Sequence, residues 1–318
     1  MINVLVTGAS GFIGLSVVNS LINKGCFVRA ACRIEPHFDN DWHHYEWRYY
    51  DLLEKNINYT ELLNDIDVVI HLAAQVHVLN SVSKETLDGY NYVNAKGTEN
   101  LACAAANNNV RKFIFMSTIK VCGESSIDLQ FNSSCDVNPN DPYAISKLNA
   151  ENSIIKRCAD TDMSYVIIRT PLVYGPRVGA NFLRLMSLVS RDYPLPFKSV
   201  DNKRSLIYVD NLADIVACCM KNENAQNKIY LVKDAELSTP ELIRAIAMAF
   251  RKRVRMFSVP TKILKGFAYI CGMRNQMCRL TDSLILDDNP VRKDLSWVPV
   301  YSLEEALKKT VDWYQSNN

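Results

Sequence analysis

The chain has 318 residues, enough for one large α/β domain or two smaller domains with a sizeable core. Its hydrophobic content of 48% and charged content of 22% are typical of ordinary globular proteins. The formal net charge of only +2 argues against a nucleic acid or an anionic membrane surface as the main partner, so any positive field must be local to a site.

Short apolar runs alternate with helical patterns through the first half of the chain. NVLVTG (3–8) is predicted to be a strand, and GLSVVNSLINKG (14–25) an amphipathic helix that ends at a glycine. Near-continuous apolar strands separated by helices indicate a parallel sheet buried on both faces, and therefore an α/β fold with a doubly wound, Rossmann-type sheet. The further predicted elements are strands at 27–33, 67–74, 112–118 and 164–175, and helices at 97–108 and 143–159.

The regular alternation fades after about residue 175. Helical patterns then follow one another around the strand NKIYLV, and the tail SLEEALKKTVDWYQS is a final amphipathic helix with an N-cap at Ser302. We predict a dinucleotide-binding domain over 1–175 and a smaller, mainly substrate-binding lobe over 176–318. Segments at about 203–235 are expected to return to the large domain.

Targeting and cysteine patterns bear on the location of the protein. The opening MINVLVTG reads as a strand without a charged n-region, and no run approaches the ~18 apolar residues of a membrane span. The ten cysteines are scattered and include no C-x-x-C pair, which argues against a zinc site and a disulfide framework. We therefore expect reduced, buried thiols, no bound metal and a cytoplasmic location.

A glycine-rich loop, VTGASGFIG, joins the first strand to the first helix. Glycine lets the backbone turn sharply and approach a pyrophosphate, and the free N–H groups at a helix N-terminus attract that anion. The placement between a strand and a helix favours a dinucleotide site over an incidental turn. The residues concerned are Gly8, Gly11, Phe12, Ile13 and Gly14.

The stretch DPYAISKLNAE places Tyr143 four residues before Lys147. On a helix the two side chains share a face. The pair is either a surface pair without consequence or an acid–base device, and the spacing alone does not distinguish these alternatives.

Six motifs in order give the pair its context: TGASGFIG, HLAA (71–74), YVNAKGT, MSTIKVCG (116–123), PYAISK and RTPLVYGP (169–176). Together they resemble the extended branch of the short-chain dehydrogenase/reductase superfamily, that is, the NAD-dependent epimerase/dehydratase family. The resemblance implies that Tyr143 is the catalytic base and Lys147 its activator, that both bind the cofactor, and that Lys147 can donate to the nicotinamide ribose. It also implies that Thr118 stands where the family has a catalytic serine that touches the substrate.

The resemblance also implies the remaining cofactor contacts. Asp51 matches the acid that contacts the adenine amino group in the family, with Leu52 beside it. The second strand ends in Arg33 rather than an acid, which favours NADP over NAD because arginine suits a 2′-phosphate. The other implied cofactor-binding residues are Leu72, Ala73 and Ala74 of HLAA, the structural Asn94, and Pro171 in the segment that passes the nicotinamide.

The second lobe carries weaker matches to UDP-sugar enzymes. Asn181 and Arg204 match residues that contact the nucleotide diphosphate, and an arginine fork suits a diphosphate. In RLTD (279–282), Arg279 and Asp282 match a pair that grips the remaining phosphate and the uridine ribose. Cys122 departs from the family pattern, which has tyrosine there.

These features favour a UDP-hexose 4-epimerase of surface-polysaccharide synthesis. A UDP-4-keto-6-deoxy-N-acetylhexosamine 4-reductase needs the same three catalytic residues, and Arg33 slightly favours it. A non-catalytic dinucleotide sensor is a remote alternative, because such proteins typically lose the tyrosine or lysine. We expect a UDP-sugar substrate, no nucleic-acid or membrane partner, and a homodimer formed through the helices at 97–108 and 143–159.

Overall fold

The computed structural model describes residues 1–35, 44–52, 54, 57–76, 89–126 and 130–317. Its main element is a seven-stranded sheet in the order β3-β2-β1-β4-β5-β6-β9, in which every neighbouring pair is parallel. The strand order reverses between β1 and β4, so the predicted α/β, doubly wound sheet is confirmed. The strands are β1 (Asn3–Thr7), β2 (Phe27–Cys32), β3 (Tyr45–Tyr49), β4 (Val68–His71), β5 (Lys112–Thr118), β6 (Ser164–Thr170) and β9 (Lys228–Leu231).

Helices cover both faces of this sheet, as the apolar strands require. Along β1, Val4 and Val6 enter the core beneath one set of helices, whereas Leu5 enters the core on the opposite face. This alternation is the period-2 geometry of a strand. The first face is covered by α1 (Phe12–Asn23) and α6 (Val209–Lys221), and the second by α2 (Tyr59–Leu63), α3 (Gly97–Asn107) and α4 (Pro142–Ala159).

Three local details differ from the predicted boundaries. The predicted strand 164–175 is two strands, because Pro171 separates β6 from β7 (Leu172–Tyr174), which belongs to another sheet. β2 ends at Cys32, so Arg33 follows the strand. The helix α3 is preceded by a turn of π-helix, Asn91–Lys96.

The second lobe is built on a three-stranded sheet in the order β10-β8-β7, where β8 is Arg204–Tyr208 and β10 is Ala235–Leu237. A separate apolar core lies between this sheet and its helices. In the order of the chain, β8 leads into α6 and β9, which belong to the large sheet and its covering layer. The helices of the lobe are α5 (Ala180–Ser190), α7 (Thr239–Ala249), α8 (Thr261–Ile270), α9 (Arg274–Thr281), α10 (Asn289–Leu295) and α11 (Leu303–Asn317).

Candidate active site

The glycine loop lies at the carboxyl edge of the sheet, where the strand order reverses. Gly8 has φ +70°, its N–H donates to the Ala31 carbonyl at 2.9 Å, and its own carbonyl accepts from Gly11 N at 3.0 Å. The backbone therefore turns sharply between β1 and α1, through a conformation that favours glycine.

Close packing holds this turn in place. A Cβ at Gly8 would lie 2.7 Å from Ala73 N, and a Cβ at Gly14 would lie 2.1 Å from the Gly8 carbonyl oxygen. Helix α1 begins directly after Gly11, which has no side chain to cap it, so its first N–H groups stay available to an anion. The loop thus fits the diphosphate of a dinucleotide.

The carboxyl end of β4 is tied to the start of α4 by Asn94. Its side chain donates to the Gln75 carbonyl at 3.0 Å and accepts from Gln75 N at 2.8 Å. It also donates to Ser146 Oγ at 3.0 Å, and Ser146 donates to the Tyr143 carbonyl at 2.8 Å. Asn94 therefore fixes the segment after Ala74 against the helix turn that carries Tyr143.

His71, at the end of β4, was not predicted to matter from the sequence. It is fully buried, and its two ring nitrogens bond the hydroxyls of Thr7, at 2.6 Å, and Thr98, at 2.9 Å. Burial lowers its pKa to about 3, so the ring is neutral at pH 7. Its role is to join β1, β4 and α3 beneath the loop.

Tyr143 and Lys147 lie in the first turns of α4, which has Pro142 in its first turn and is capped by Asp141, whose carboxylate accepts from Ala144 N at 2.7 Å. Tyr143 is half-buried, with its ring centroid 6.2 Å from that of Tyr90. Burial, with a smaller contribution from the nearby Asp141 carboxylate, raises the pKa of Tyr143 to about 12. Without a further positive charge, Tyr143 is therefore protonated at pH 7.

Lys147 is only 2% exposed, and its Nζ lies 4.0 Å from the centroid of the Phe115 ring. Burial lowers its pKa to about 7, against a smaller raising effect of Glu151. Within the described part of the chain Nζ donates no hydrogen bond, although a buried ammonium normally has acceptors. A ribose hydroxyl of a bound dinucleotide would supply them, so this residue fits the cofactor.

Thr118 is the last residue of β5, and its side chain caps the following 3₁₀ turn, accepting from Lys120 N at 3.4 Å. Lys120 forms ion pairs with Asp141 and, at 3.0 Å, with Glu124. The Thr118 hydroxyl is thereby held at the carboxyl edge of the sheet, beside the start of α4.

A buried charge network under this site was missed by sequence reasoning. Glu151, one turn beyond Lys147, accepts from Arg169 Nη2 at 2.7 Å and from Arg169 Nε at 3.2 Å, and also from the Ser117 hydroxyl. Glu151 and Arg169 have side chains only 1% and 4% exposed. A carboxylate and a guanidinium without a local motif give no signal in a single sequence, although each falls at a position that faces the core.

The prediction that the cysteines are reduced thiols is wrong for one pair. Cys122 and Cys135 form a disulfide, and their sulfur atoms lie 3.4 and 3.6 Å from Nη1 of Arg169. The pairing joins residues 13 positions apart, so no short-range motif announces it. The other eight cysteines are free, and among the described residues no group of His, Cys, Asp and Glu could hold a metal ion.

The remaining predicted cofactor residues surround the same edge of the sheet. Ala73 packs on the Gly8 turn, and Leu52 packs on Gly97 of α3. Pro171 is buried between β6 and β7, whereas Arg33 is exposed beyond the end of β2. Residues Asp51, Leu72 and Ala74 are partly buried at the ends of the neighbouring strands.

Three of the predicted substrate residues come together in the second lobe. Arg204, at the start of β8, donates to the Asp282 carbonyl at 2.9 Å, and burial together with the nearby Arg279 lowers its pKa. Arg279 lies 3.8 Å from the Glu124 carboxylate, and the Asp282 carboxylate accepts from Lys265 at 2.6 Å. Two neighbouring guanidiniums are a donor set that suits an anion. The fourth predicted substrate residue, Asn181, lies in the first turn of α5.

In the described ranges no helix is long and apolar enough to cross a membrane.

The fold closely matches solved structures of nucleotide-sugar enzymes. UDP-glucuronic acid 4-epimerase from Bacillus cereus, in complex with NAD, superposes with a TM-score of 0.78 at 21% identity, over 99% of both chains. UDP-glucose 4-epimerase from Thermotoga maritima, with UDP-glucose, gives 0.78 at 24% identity over 99% of both. At such identities the similarity establishes the fold.

Sequence comparison goes further. Residues 4–232 match the profile of the "NAD dependent epimerase/dehydratase family". UDP-glucose 4-epimerase of Vibrio cholerae is 37% identical over 323 aligned positions, which cover 99% of this chain and 97% of that protein. A putative UDP-glucose 4-epimerase of Methanocaldococcus jannaschii is 27% identical over 99% of both. The chain therefore belongs to the NAD-dependent epimerase/dehydratase family and is an NAD(P)-dependent enzyme.

Proposed function

We propose that the protein is a UDP-sugar 4-epimerase of surface-polysaccharide synthesis. The observation that carries the proposal is the full-length similarity, at 37% identity, to a protein named UDP-glucose 4-epimerase. The positions of Thr118 at the end of β5 and of Tyr143 and Lys147 at the start of α4 support it, and so does the arginine pair in the second lobe.

Tyr143 would take the proton of the sugar's C4 hydroxyl. With a pKa raised to about 12 the phenol is a poor base, so it needs positive charge nearby in the working complex. Lys147 supplies that charge from the next turn of α4 and donates to the nicotinamide ribose, and the Thr118 hydroxyl bonds the reacting oxygen. A dinucleotide held by the glycine loop and Lys147 would supply reversible hydride transfer at C4, which inversion of that carbon requires.

Arg204 and Arg279 would bind the UDP diphosphate. Burial and, to a smaller extent, the positive charge of Arg279 lower the pKa of Arg204, so the two guanidiniums repel each other. A diphosphate between them would relieve this repulsion and exchange the distant Glu124 contact of Arg279 for a charge-assisted hydrogen bond. Asp282 and Asn181 would complete the nucleotide contacts.

One observation favours a second function. Arg33 follows β2 directly, is exposed, and has no acid at the strand end to bind an NAD ribose. This favours NADP, and NADPH supplied from solution suits a 4-ketoreductase acting on a UDP-4-keto-6-deoxy-N-acetylhexosamine.

One assay separates the two functions. The purified protein is incubated with UDP-glucose, UDP-galactose and their N-acetyl forms, without added cofactor and with added NAD. Interconversion at C4 establishes the epimerase. Absence of conversion in both conditions, together with NADPH or NADH consumption on a UDP-4-keto sugar, would overturn it in favour of the reductase.

We further propose that residues 1–175 form the dinucleotide domain and that residues 176–318 form mainly the substrate lobe. We also propose that the protein is cytoplasmic and forms a homodimer through α3 and α4. The half-exposed Tyr92, in the π-helical turn that leads into α3, supports an apolar contact there. Light scattering on Tyr92→Glu should show dissociation, and an unchanged mass would exclude this interface.

A further inference from the structure

The charge of the chain is unevenly distributed. Between Glu241 and Asp282, residues 242–281 contain nine Lys and Arg and no Asp or Glu. The rest of the chain therefore carries seven more acidic than basic residues, and the net charge of +2 conceals a strongly basic segment. This segment includes α8 and α9.

Helix α8 presents apolar side chains to solvent. Only Leu264 and Ala268 pack into the lobe. Ile263, Phe267 and Ile270 are 61%, 68% and 84% exposed. At 3.6 residues per turn these three lie within about 60° of one another around the helix axis, so they form one stripe.

The other exposed flank of α8 carries Lys262, Lys265 and Tyr269. Lys265 pairs with Asp282, whereas Lys262 forms no ion pair with any described residue. The outward side of the helix thus has an apolar flank and a basic flank with a tyrosine, the amphipathic pattern of helices that lie in a lipid interface.

The extended segment before α8 repeats this combination. Three of its side chains are exposed and alternate with partly buried ones: Arg253, Arg255 and Phe257. The backbone of this segment is held by Leu195, whose N–H donates to the Arg255 carbonyl and whose carbonyl accepts from Phe257 N. Neither arginine makes an ion pair within the described ranges. Residues 258–260 alone separate this strip from α8, so the two are neighbours on the surface.

We propose that α8 and residues 253–257 form a peripheral docking surface for an anionic lipid bilayer. Unpaired basic side chains beside protruding aliphatic and aromatic ones match anionic headgroups above an apolar interior. The apolar residues stand out from a convex helix instead of lining a groove, which suits insertion between lipids better than an acidic protein helix. With ten residues, α8 can lie on the bilayer and cannot span it.

This proposal reverses the expectation of no membrane partner, which rested on the net charge of +2, because the basic residues are concentrated in one segment. It does not depend on the sugar substrate or on the direction of the reaction. Membrane binding would place the candidate nucleotide site next to the lipid surface, because Lys265 of α8 donates a hydrogen bond to the Asp282 carboxylate of that site.

The test is co-sedimentation of the full-length protein with vesicles. We expect binding to equimolar phosphatidylglycerol and phosphatidylcholine, none to phosphatidylcholine alone, and release by about 0.5 M NaCl. Phe267→Ser/Ile270→Ser should weaken partitioning at least about tenfold because it removes the inserted apolar groups. Arg253→Glu/Arg255→Glu should do the same through charge.

Matched controls keep the proposal falsifiable. Val298→Ser/Val300→Ser removes two exposed apolar side chains outside the segment, and Lys156→Glu/Lys308→Glu makes the same change of charge elsewhere. Both should bind vesicles within about twofold of wild type. Each variant is first checked for an unchanged urea midpoint.

Three results would overturn the proposal. The first is no binding to the anionic vesicles at ~1 mM lipid. The second is equal binding by the Phe267→Ser/Ile270→Ser variant and the wild type. The third is a concentration-dependent dimer, seen by light scattering, that this variant abolishes while no lipid is bound, which would assign the surface to a second copy of the chain.

Discussion

The replacement Glu151→Gln tests whether the buried charge network supports the candidate active site. Glu151 is 1% exposed, and its carboxylate accepts from two nitrogens of Arg169, at 3.2 and 2.7 Å, and from the Ser117 hydroxyl. Glutamine keeps the length of the side chain but is neutral. Its amide group would also present a donor toward a guanidinium that itself only donates.

The expected cost follows from burial. Arg169 is 3% exposed, so loss of the carboxylate leaves its charge without compensation in a region closed to water. Breaking a buried ion pair from one side costs about 3–5 kcal/mol of stability, a large part of the roughly 5–15 kcal/mol that a folded protein has. Glu151 also raises the pKa of Lys147, so the variant should lower that pKa further.

Urea unfolding of the ligand-free protein at pH 8 measures the loss. Glu99→Gln is the matched control, because its pair with Lys96 has a similar length, 2.8 Å, but side chains 44% and 56% exposed. This surface replacement should cost no more than about 0.5 kcal/mol. Adding Arg169→Met to Glu151→Gln should restore part of the stability, since it removes the uncompensated cation. A loss below about 1 kcal/mol for Glu151→Gln, or no recovery in the double variant, would refute the reasoning.

Three further predictions concern the same site. Tyr143→Phe should lower kcat at least about 100-fold while isothermal titration shows NAD affinity within about twofold, and retained turnover would exclude Tyr143 as the base. Burial lowers the pKa of Lys147 from 10.5 to about 7, so between these values the unfolded chain holds a proton that the folded protein lacks, and wild-type stability rises with pH. Lys147→Met should remove this pH dependence. In urea titrations the free energy of unfolding of the wild type should therefore rise relative to that of the variant by about 2 kcal/mol between pH 7 and pH 9, and a difference that stays constant with pH would contradict the burial effect. Gly25→Ala, at φ +77° with open space around it, should lower the free energy of unfolding by about 1–2 kcal/mol. Gly8→Ala, at φ +70° with its Cβ 2.7 Å from Ala73 N, should lower that free energy more and also lower NAD affinity. Equal losses of stability would show that the backbone moves to relieve the contact with Ala73.

Local patterns were sufficient for the large parallel sheet and its glycine loop, but not for the three-stranded sheet of the second lobe. The alternation of apolar strands and helices predicted the parallel sheet because each period reflects the geometry of one element. The three-glycine spacing located the turn at Gly8, because a short turn between β1 and α1 needs a residue that adopts a positive φ. The four-residue spacing of Tyr143 and Lys147 placed both on the first turns of one helix.

Packing between distant segments decided what those patterns could not. Glu151, Ser117 and Arg169 belong to α4, β5 and β6, so the Glu151–Arg169 ion pair and its hydrogen bond from Ser117 form only once the three elements meet. The Cys122–Cys135 disulfide likewise depends on two segments meeting, whereas the exposed stripe of α8 depends on which surfaces remain uncovered.

The sequence by itself therefore determined the sheet, the dinucleotide loop and the identity of the candidate catalytic residues. The tertiary structure decided their environment, because burial lowers the pKa of Lys147 to about 7, and its Nζ lies over the ring of Phe115, a residue 32 positions away in the chain. Spacing follows from local backbone geometry, which a short stretch already contains. Burial and charge pairing follow from contacts that no short stretch contains.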